Sequence, residues 1–382
     1  MKLLIDAHLD IAWNALSYDR DQLLSIQDLR AGESHMSGKS RGNCTVSLPE
    51  MRNGGIGLCL ATILSRALPC HQNTTVGHQM TKQVRDHLGP IGERLRNEII
   101  LRENLDYANQ TIACAAAQGQ LAYYQLLETA GQLKMIRTAA ELDELWLGWS
   151  KKVDGTPIGF ILSMEGTDPI VDPAQAQFWW DKGLRTACLA HYGPSTHAMG
   201  TGGDGPLTNK GRELLAIFNQ LGMILDLVHT ADTALEQALD IFQGPVFVSH
   251  GNCRTLVPHD RQISNDQIQK ITERGGVIGV VFDCWMLSSK WRKGTPGNPR
   301  PSLTTVVDHI DHICQIAGSC QHVGIGSDLD GGFGTEQSPK ELETIADLQK
   351  LEPLLAHRGY SDADINAIFH ENWLRFFRDA LP

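Results

Sequence analysis

Across its 382 residues the chain has no apolar run long enough to cross a bilayer, no Cys-x-x-Cys pair, no internal repeat, no low-complexity tract and no Gly/Ser linker. The first absence argues against a transmembrane helix. Nine cysteines, an odd number with no paired spacing, supply neither a disulfide framework nor a cysteine zinc site. Cys59 and Cys188 fall inside apolar runs, where a cysteine acts as a small buried hydrophobe. A reducing compartment, the cytoplasm, is the expected setting, because the opening residues read as a strand bearing functional side chains rather than as a secretory signal. Basic charge is also scarce. A formal net charge of -11 argues against nucleic acid or an anionic membrane surface as partner. It says little about a small-molecule substrate, for which the local charge of the site matters more. With 42% hydrophobic residues and no dividing linker, residues 1–382 are expected to form one domain with an ample core.

The chain does have short apolar, β-branched runs at residues 3–7, 56–64, 158–164, 184–190, 223–228, 246–249, 277–282 and 323–326. Amphipathic stretches lie between them, among them 210–221, 231–242, 266–274 and 303–317. Asp266 reads as a helix N-cap, and Gly275 and Gly318 as helix stops. Strands apolar on both faces and alternating with helices indicate a parallel α/β sheet covered on both sides. Eight of them point to a closed (β/α)8 TIM-type barrel, although an open doubly wound sheet has the same alternation. Residues 77–140 depart from it and are expected to form a helical insertion between strands two and three.

The polar residues at the strand ends carry the chemistry. Strand one runs into His8 and Asp10, and residues two apart on an extended chain point to the same face. One imidazole and one carboxylate can therefore converge on a cation, and zinc accepts that ligand set. Strand three ends at Glu165, strand four at His191, strand five at His229, strand six at His250 and strand eight at Asp328. Each has a structural alternative: Glu165 as an acid stabilised at a helix N-terminus, Asp328 or Asp330 as part of a turn before Gly331-Gly332. A barrel of this type, however, places its active site at the C-terminal ends of its strands. Six strands delivering His, Asp or Glu to one end favour a metal site. The remaining histidines, including His197, His309 and His312, lie in loops or helical stretches and are assigned to the surface.

With those residues in hand, the chain resembles the membrane (renal) dipeptidase family of zinc peptidases, in the amidohydrolase-like barrel class. The resemblance runs from Asp6-Ala7-His8-Leu9-Asp10 to Glu371-Asn372-Trp373-Leu374-Arg375. Its most specific part is an ordered set: His-x-Asp, Glu165-Gly166, His191, His229, Ser249-His250 and Gly324-Ile325-Gly326-Ser327-Asp328-Leu329-Asp330-Gly331. It implies two Zn2+ ions, one held by His8 and Asp10, the other by His229 and His250, with Glu165 bridging. It further implies that His191 polarises the scissile carbonyl, that Asp328 moves the proton, and that Arg261 grips the substrate carboxylate, with Arg254 a nearby competitor. The expected activity is hydrolysis of dipeptides by a hydroxide shared between the metals. Two other readings stay open: an amidohydrolase of the same fold acting on N-acyl amino acids or cyclic amides, and a catalytically silent barrel. Members often form homodimers, and this sequence carries no interface signature. Two departures alter the pocket walls. Where members commonly carry Glu-Gly-Gly-His, this chain has Glu165-Gly166-Thr167-Asp168-Pro169, and where many carry an Asn after the strand-four histidine it has Tyr192-Gly193-Pro194-Ser195-Thr196.

Overall fold

All eight apolar runs form strands in the computed structural model, which describes residues 1–67, 105–295 and 297–382. They are β1 (Leu4–Leu9), β2 (Ile56–Leu64), β3 (Ile158–Glu165), β4 (Leu184–Cys188), β5 (Ile224–Asp226), β6 (Val246–Phe247), β7 (Ile278–Val280) and β8 (Val323–Ile325). The spatial order is β7-β8-β1-β2-β3-β4-β5-β6, every pairing parallel. A bridge between Val248 and Ile278 joins the two ends of that path. There Val248 N–H donates to Val277 O at 3.0 Å and Gly279 N–H to Val248 O at 2.8 Å. This closure decides for the barrel over the open sheet. A further short strand, Leu133–Met135, runs parallel beside β3.

Burial explains the near-continuous apolar composition of the strands. All six residues of β1 and all nine of β2 are buried, because one face meets the barrel interior and the other the surrounding helices. At one end the C-terminal helix Asn372–Ala380 packs Trp373, Phe376 and Phe377 against Ile5, Leu58, Ile161 and Phe247. Trp373 donates to Ile325 O at 3.1 Å and Asn372 to Val323 O at 2.8 Å, so this helix is tied to β8. Gly324 allows the approach: a Cβ there would sit 2.2 Å from Trp373 Nε1.

The structure corrects several details. Strands β4, β5 and β6 end at Cys188, Asp226 and Phe247, two residues earlier than their apolar runs, although ladder-type hydrogen bonds continue at Leu227 and Val248 before the chain turns into the mouth of the barrel. The helix expected to be capped by Asp266 is Asn265–Glu273. Its cap is Ser264, whose hydroxyl accepts from Gln267 N–H while Gln267 reaches back in a capping box. Gly275 and Gly318 do stop their helices, each in the left-handed region, with φ of 75° and 72°. The first part of the expected insertion, 77–104, lies outside the described residues. Its described part holds the helix Gln110–Thr129, whose Tyr124 hydroxyl accepts from Ala12 N–H at 3.1 Å and donates to Thr62 O at 2.8 Å. No helix among the described residues is long and apolar enough to cross a membrane.

Two histidines assigned to the surface are buried. His197 and His309 are both fully shielded. Nδ1 of His309 accepts Cys253 N–H at 3.1 Å, a partner 56 positions away that no local pattern announces. Burial pushes His309 down to about 4 from an ordinary 6.5. The unfolded chain therefore takes up a proton that the folded chain refuses, and stability must fall as pH drops from about 6.5 towards 4. Replacing His309 by Gln should flatten the dependence of unfolding free energy on pH in that window, by at most about 1.4 kcal/mol per pH unit. Urea titrations of both proteins across the window measure it. An identical slope in the variant would contradict a neutral, buried His309.

Candidate functional site

Two buried carboxylates shape the mouth before any ligand residue is considered. Asp6, on β1, accepts Ser327 N–H at 2.8 Å, Ser327 O–H at 2.5 Å and His8 N–H at 3.2 Å. Asp226, at the end of β5, accepts Val228 N–H at 3.1 Å and Ser249 N–H at 3.0 Å. Each therefore replaces ladder hydrogen bonds where adjacent strands part, and so fixes the segments that carry His8, Asp328, His229 and His250. His229 and Asp328 sit in the left-handed region with φ of 59° and 58°, which non-glycine residues enter at a cost.

On this frame Glu165, the last residue of β3 and 4% exposed, meets four imidazoles. Its Oε2 lies 3.6 Å from His8 Nε2. Its Oε1 lies 3.3 Å from His229 Nε2 and 3.6 Å from the Nε2 atoms of His191 and His250. His8 Nε2 also lies 3.9 Å from Asp10 and 3.8 Å from Asp328. Three overlapping groups thus bring ligand atoms within 4.8 Å of one another: His8-Glu165-His250, Glu165-His191-His229 and His8-Asp10-Asp328. The metal-ligand candidates His8, Asp10, Glu165, His229 and His250 are brought together, with His191 and Asp328 beside them.

The electrostatics follow from crowding charge in a buried place. Burial alone would raise Glu165, but His8 and His191 and the close approach of His229 hold it well below the ordinary carboxylate value. Burial would lower His8, yet Glu165, Asp10 and Asp328 carry it up to about 10. Burial and the nearby Arg261 push His229 down to about 3, and burial with His8 and Arg261 pushes His250 down as well. Asp10 is raised to about 7 by burial and by Glu165, against His8 and the hydrogen bond from Thr62. Asp328 is raised well above the ordinary value, chiefly by burial. The cluster thus favours a charged His8 beside a charged Glu165 and disfavours further negative charge on Asp10 and Asp328.

The outer nitrogens are engaged as well. His229 Nδ1 meets Thr201 Oγ1 at 3.0 Å and His250 Nδ1 meets Ser249 Oγ at 3.0 Å. Thr62 donates to Asp10. His191 Nδ1 faces Arg66 Nη1 at 3.1 Å. Nε2 of His8, by contrast, is buried and makes no hydrogen bond among the described residues, as befits a nitrogen kept for a cation. Arg261, 4% exposed, uses Nη2 on His250 O at 3.1 Å, while its Nε and Nη1 are buried without a partner among the described residues. Arg254 is occupied elsewhere, paired to both oxygens of Asp232 at 2.7 and 2.8 Å.

Sequence reasoning missed Asp283, Arg66 and the two shaping carboxylates. Asp283 follows the seventh apolar run directly and could have been found by the rule applied to the other strands. It is buried, accepts Gln337 Nε2 on both oxygens at 2.9 and 2.8 Å, and is pushed up to about 6 by burial against those bonds. With Arg66 just beyond β2, all eight strands now lead to a polar side chain at the mouth. The two departures from the family pattern also meet. Asp168 accepts Ser195 O–H at 2.6 Å and Thr196 N–H at 3.2 Å, and the Thr167 hydroxyl meets His197 Nδ1 at 2.9 Å. The altered residues thus pair with one another around the loop after β4.

A buried glutamate shared among imidazoles at the C-terminal mouth of a (β/α)8 barrel defines a metal-site barrel. The chain belongs to the membrane dipeptidase family, peptidase family M19, whose family model matches residues 1–381. An uncharacterised dipeptidase of Schizosaccharomyces pombe is 34% identical over 227 residues, 58% of this chain and 53% of that protein. The dipeptidase verJ of Clonostachys rogersoniana is 30% identical over 266 residues, 66% of this chain and 65% of that one. Matches to the first of these curated relatives thus span about half of their length. Among solved structures, a dipeptidase of family M19 shares the fold with a TM-score of 0.73 at 21% identity, covering 100% of this chain and 99% of that one. A metallopeptidase from Rhodobacter sphaeroides, solved with a phosphinate mimic of the dipeptide L-Ala-D-Ala, has the same TM-score of 0.73 at 22% identity and covers 100% of each chain.

The shaping role of Asp6 is directly testable. Asp6→Ala leaves two backbone N–H groups and one hydroxyl buried without an acceptor, which should lower unfolding free energy by about 3 kcal/mol. Chemical denaturation measures it, and a loss below about 0.5 kcal/mol would show that Asp6 is not holding β1 to the segment after β8.

Proposed function

We propose that this protein is a zinc-dependent dipeptidase, residues 1–382 forming a single barrel domain with its helical insertion. In this reading His8 and Asp10 would hold one Zn2+ ion and His229 and His250 the other, with Glu165 as the ligand they share. The carrying observation is Arg261: a buried guanidinium beside the cluster whose Nε and Nη1 find no partner, carboxylate or other, among the described residues. A planar guanidinium matches a carboxylate in a bidentate pair, so the substrate should end in a free carboxylate close to the bond that is cut. The dipeptidase names of the relatives and the dipeptide mimic bound by the Rhodobacter enzyme agree with that choice. Eight described cysteines, all free, fit a cytoplasmic setting.

When bound, the two cations supply Lewis acidity that polarises a carbonyl and ionises water near neutral pH. The chain's residues do the rest. Arg261 binds the terminal carboxylate and so sets the register of the peptide bond. His191, neutral because burial and His229 push its pKa well down, offers a hydrogen bond to the carbonyl oxygen as negative charge develops there. Asp328, held well above the ordinary carboxylate value, takes up a proton and delivers it to the leaving amine.

Three outcomes separate the readings. The zinc-loaded enzyme should hydrolyse dipeptides, and activity confined to N-acyl amino acids or cyclic amides would replace this reading by the amidohydrolase one. No hydrolysis of either set, with no metal retained, would leave a silent barrel. Arg261→Ala should cost about 2–5 kcal/mol in kcat/KM on dipeptides through loss of a desolvated charge pair, whereas an unchanged value would remove Arg261 from the site.

Metal uptake should also depend on pH with a definite sign. Without a cation, Glu165, Asp10 and Asp328 favour the protonated form of His8, so a proton competes with the cation for its nitrogen. Zinc binding should therefore release at least about one proton, and affinity should fall as pH falls. Calorimetry in two buffers of different ionisation enthalpy measures the release. Affinity independent of pH would exclude His8 as a ligand.

A further inference from the structure

Three imidazoles face the same oxygen of Glu165, yet their second nitrogens meet different chemistry. The hydroxyls of Thr201 and Ser249 can accept a proton from Nδ1 of His229 and His250, which leaves each Nε2 lone pair for a cation. His191 Nδ1 meets Nη1 of Arg66 at 3.1 Å instead. A guanidinium carries only donors, so this contact is a hydrogen bond only if Nδ1 presents its lone pair. The ring proton of His191 then sits on Nε2, which points towards Glu165 Oε1 at 3.6 Å.

Arg66 is itself held in place. Its Nε and Nη2 reach Asp106 Oδ1 at 2.7 and 2.6 Å. Its backbone N–H donates to Leu105 O at 2.9 Å, and Arg66–Ala67 pairs in parallel with Asp106–Tyr107. The guanidinium thus stands on a carboxylate and spends its remaining edge on the imidazole.

We propose that Arg66, braced by Asp106, is a positioning residue that fixes His191 as the Nε2–H tautomer. His191 is thereby a hydrogen-bond donor to the substrate carbonyl and is withheld from the cations, which are left to His229 and His250. The identity of the acceptor rests on the dipeptidase reading, whereas the tautomer does not.

The test uses the full-length, zinc-loaded enzyme with isotope-labelled histidine. Long-range nitrogen–proton correlation spectra, with His191 assigned through His191→Asn, report which ring nitrogen carries the proton. The wild-type enzyme should show a protonated Nε2 and a bare Nδ1. In Arg66→Leu the proton should redistribute towards Nδ1, and kcat should fall about 10- to 100-fold with KM and metal content nearly unchanged. Arg66→Lys, which also offers only donors, should recover most of the loss. A wild-type His191 protonated on Nδ1 would overturn the proposal even if no variant folds, and so would a wild-type kcat in Arg66→Leu. An enzyme inactive on dipeptides but with His191 protonated on Nε2 would instead sink the dipeptidase reading and leave the assignment to Arg66 standing.

Discussion

A single buried carboxylate governs this molecule. Glu165 is 4% exposed and charged, a state that only strong local compensation sustains. Four imidazoles supply part of it from two sides, His8 at one oxygen and His191, His229 and His250 at the other. They do not supply all of it. Asp10 and Asp328 crowd the same space, and both are driven upwards because further negative charge is unwelcome there. Divalent cations would relieve that crowding of acidic groups, and the two oxygens of Glu165 face overlapping groups of ligand atoms.

The barrel is what makes that crowding tolerable. Parallel strands all end at one mouth, so residues more than two hundred positions apart converge without long loops. Asp6 and Asp226 hold the strand ends open at the points where ladder bonds stop, and the left-handed turns at His229 and Asp328 aim their side chains inward. At β8 the C-terminal helix is anchored through Trp373 and Asn372. Strain at the mouth is thus carried by a packed, largely apolar frame.

Much of this was legible in the sequence because it is local. An apolar run followed at once by His8, Glu165, His191, His229, His250 or Asp328 is visible without knowing what lies across the barrel. Asp283, directly after the seventh apolar run, obeys the same rule. What the sequence concealed depends on partners far away in the chain. Arg66 meets His191 across 125 positions, and Asp6 meets Ser327 across 321. His309 looked like one side of a solvated helix face until Cys253 and Leu287 covered it. The cap at Ser264 was misassigned for a smaller reason: Asp266 has the right chemistry but sits inside the helix, and the reciprocal bond from Gln267 identifies the true start.

In the proposed reading Glu165 is shared by two metal ions. Anomalous diffraction at the zinc edge from crystals of the purified enzyme tests it most directly. The account predicts two anomalous peaks flanking Glu165, one on the side of His8 and Asp10, the other between His229 and His250, with none bonded to His191 Nε2. A lone peak, a peak ligated by His191, or no zinc near Glu165 would contradict it.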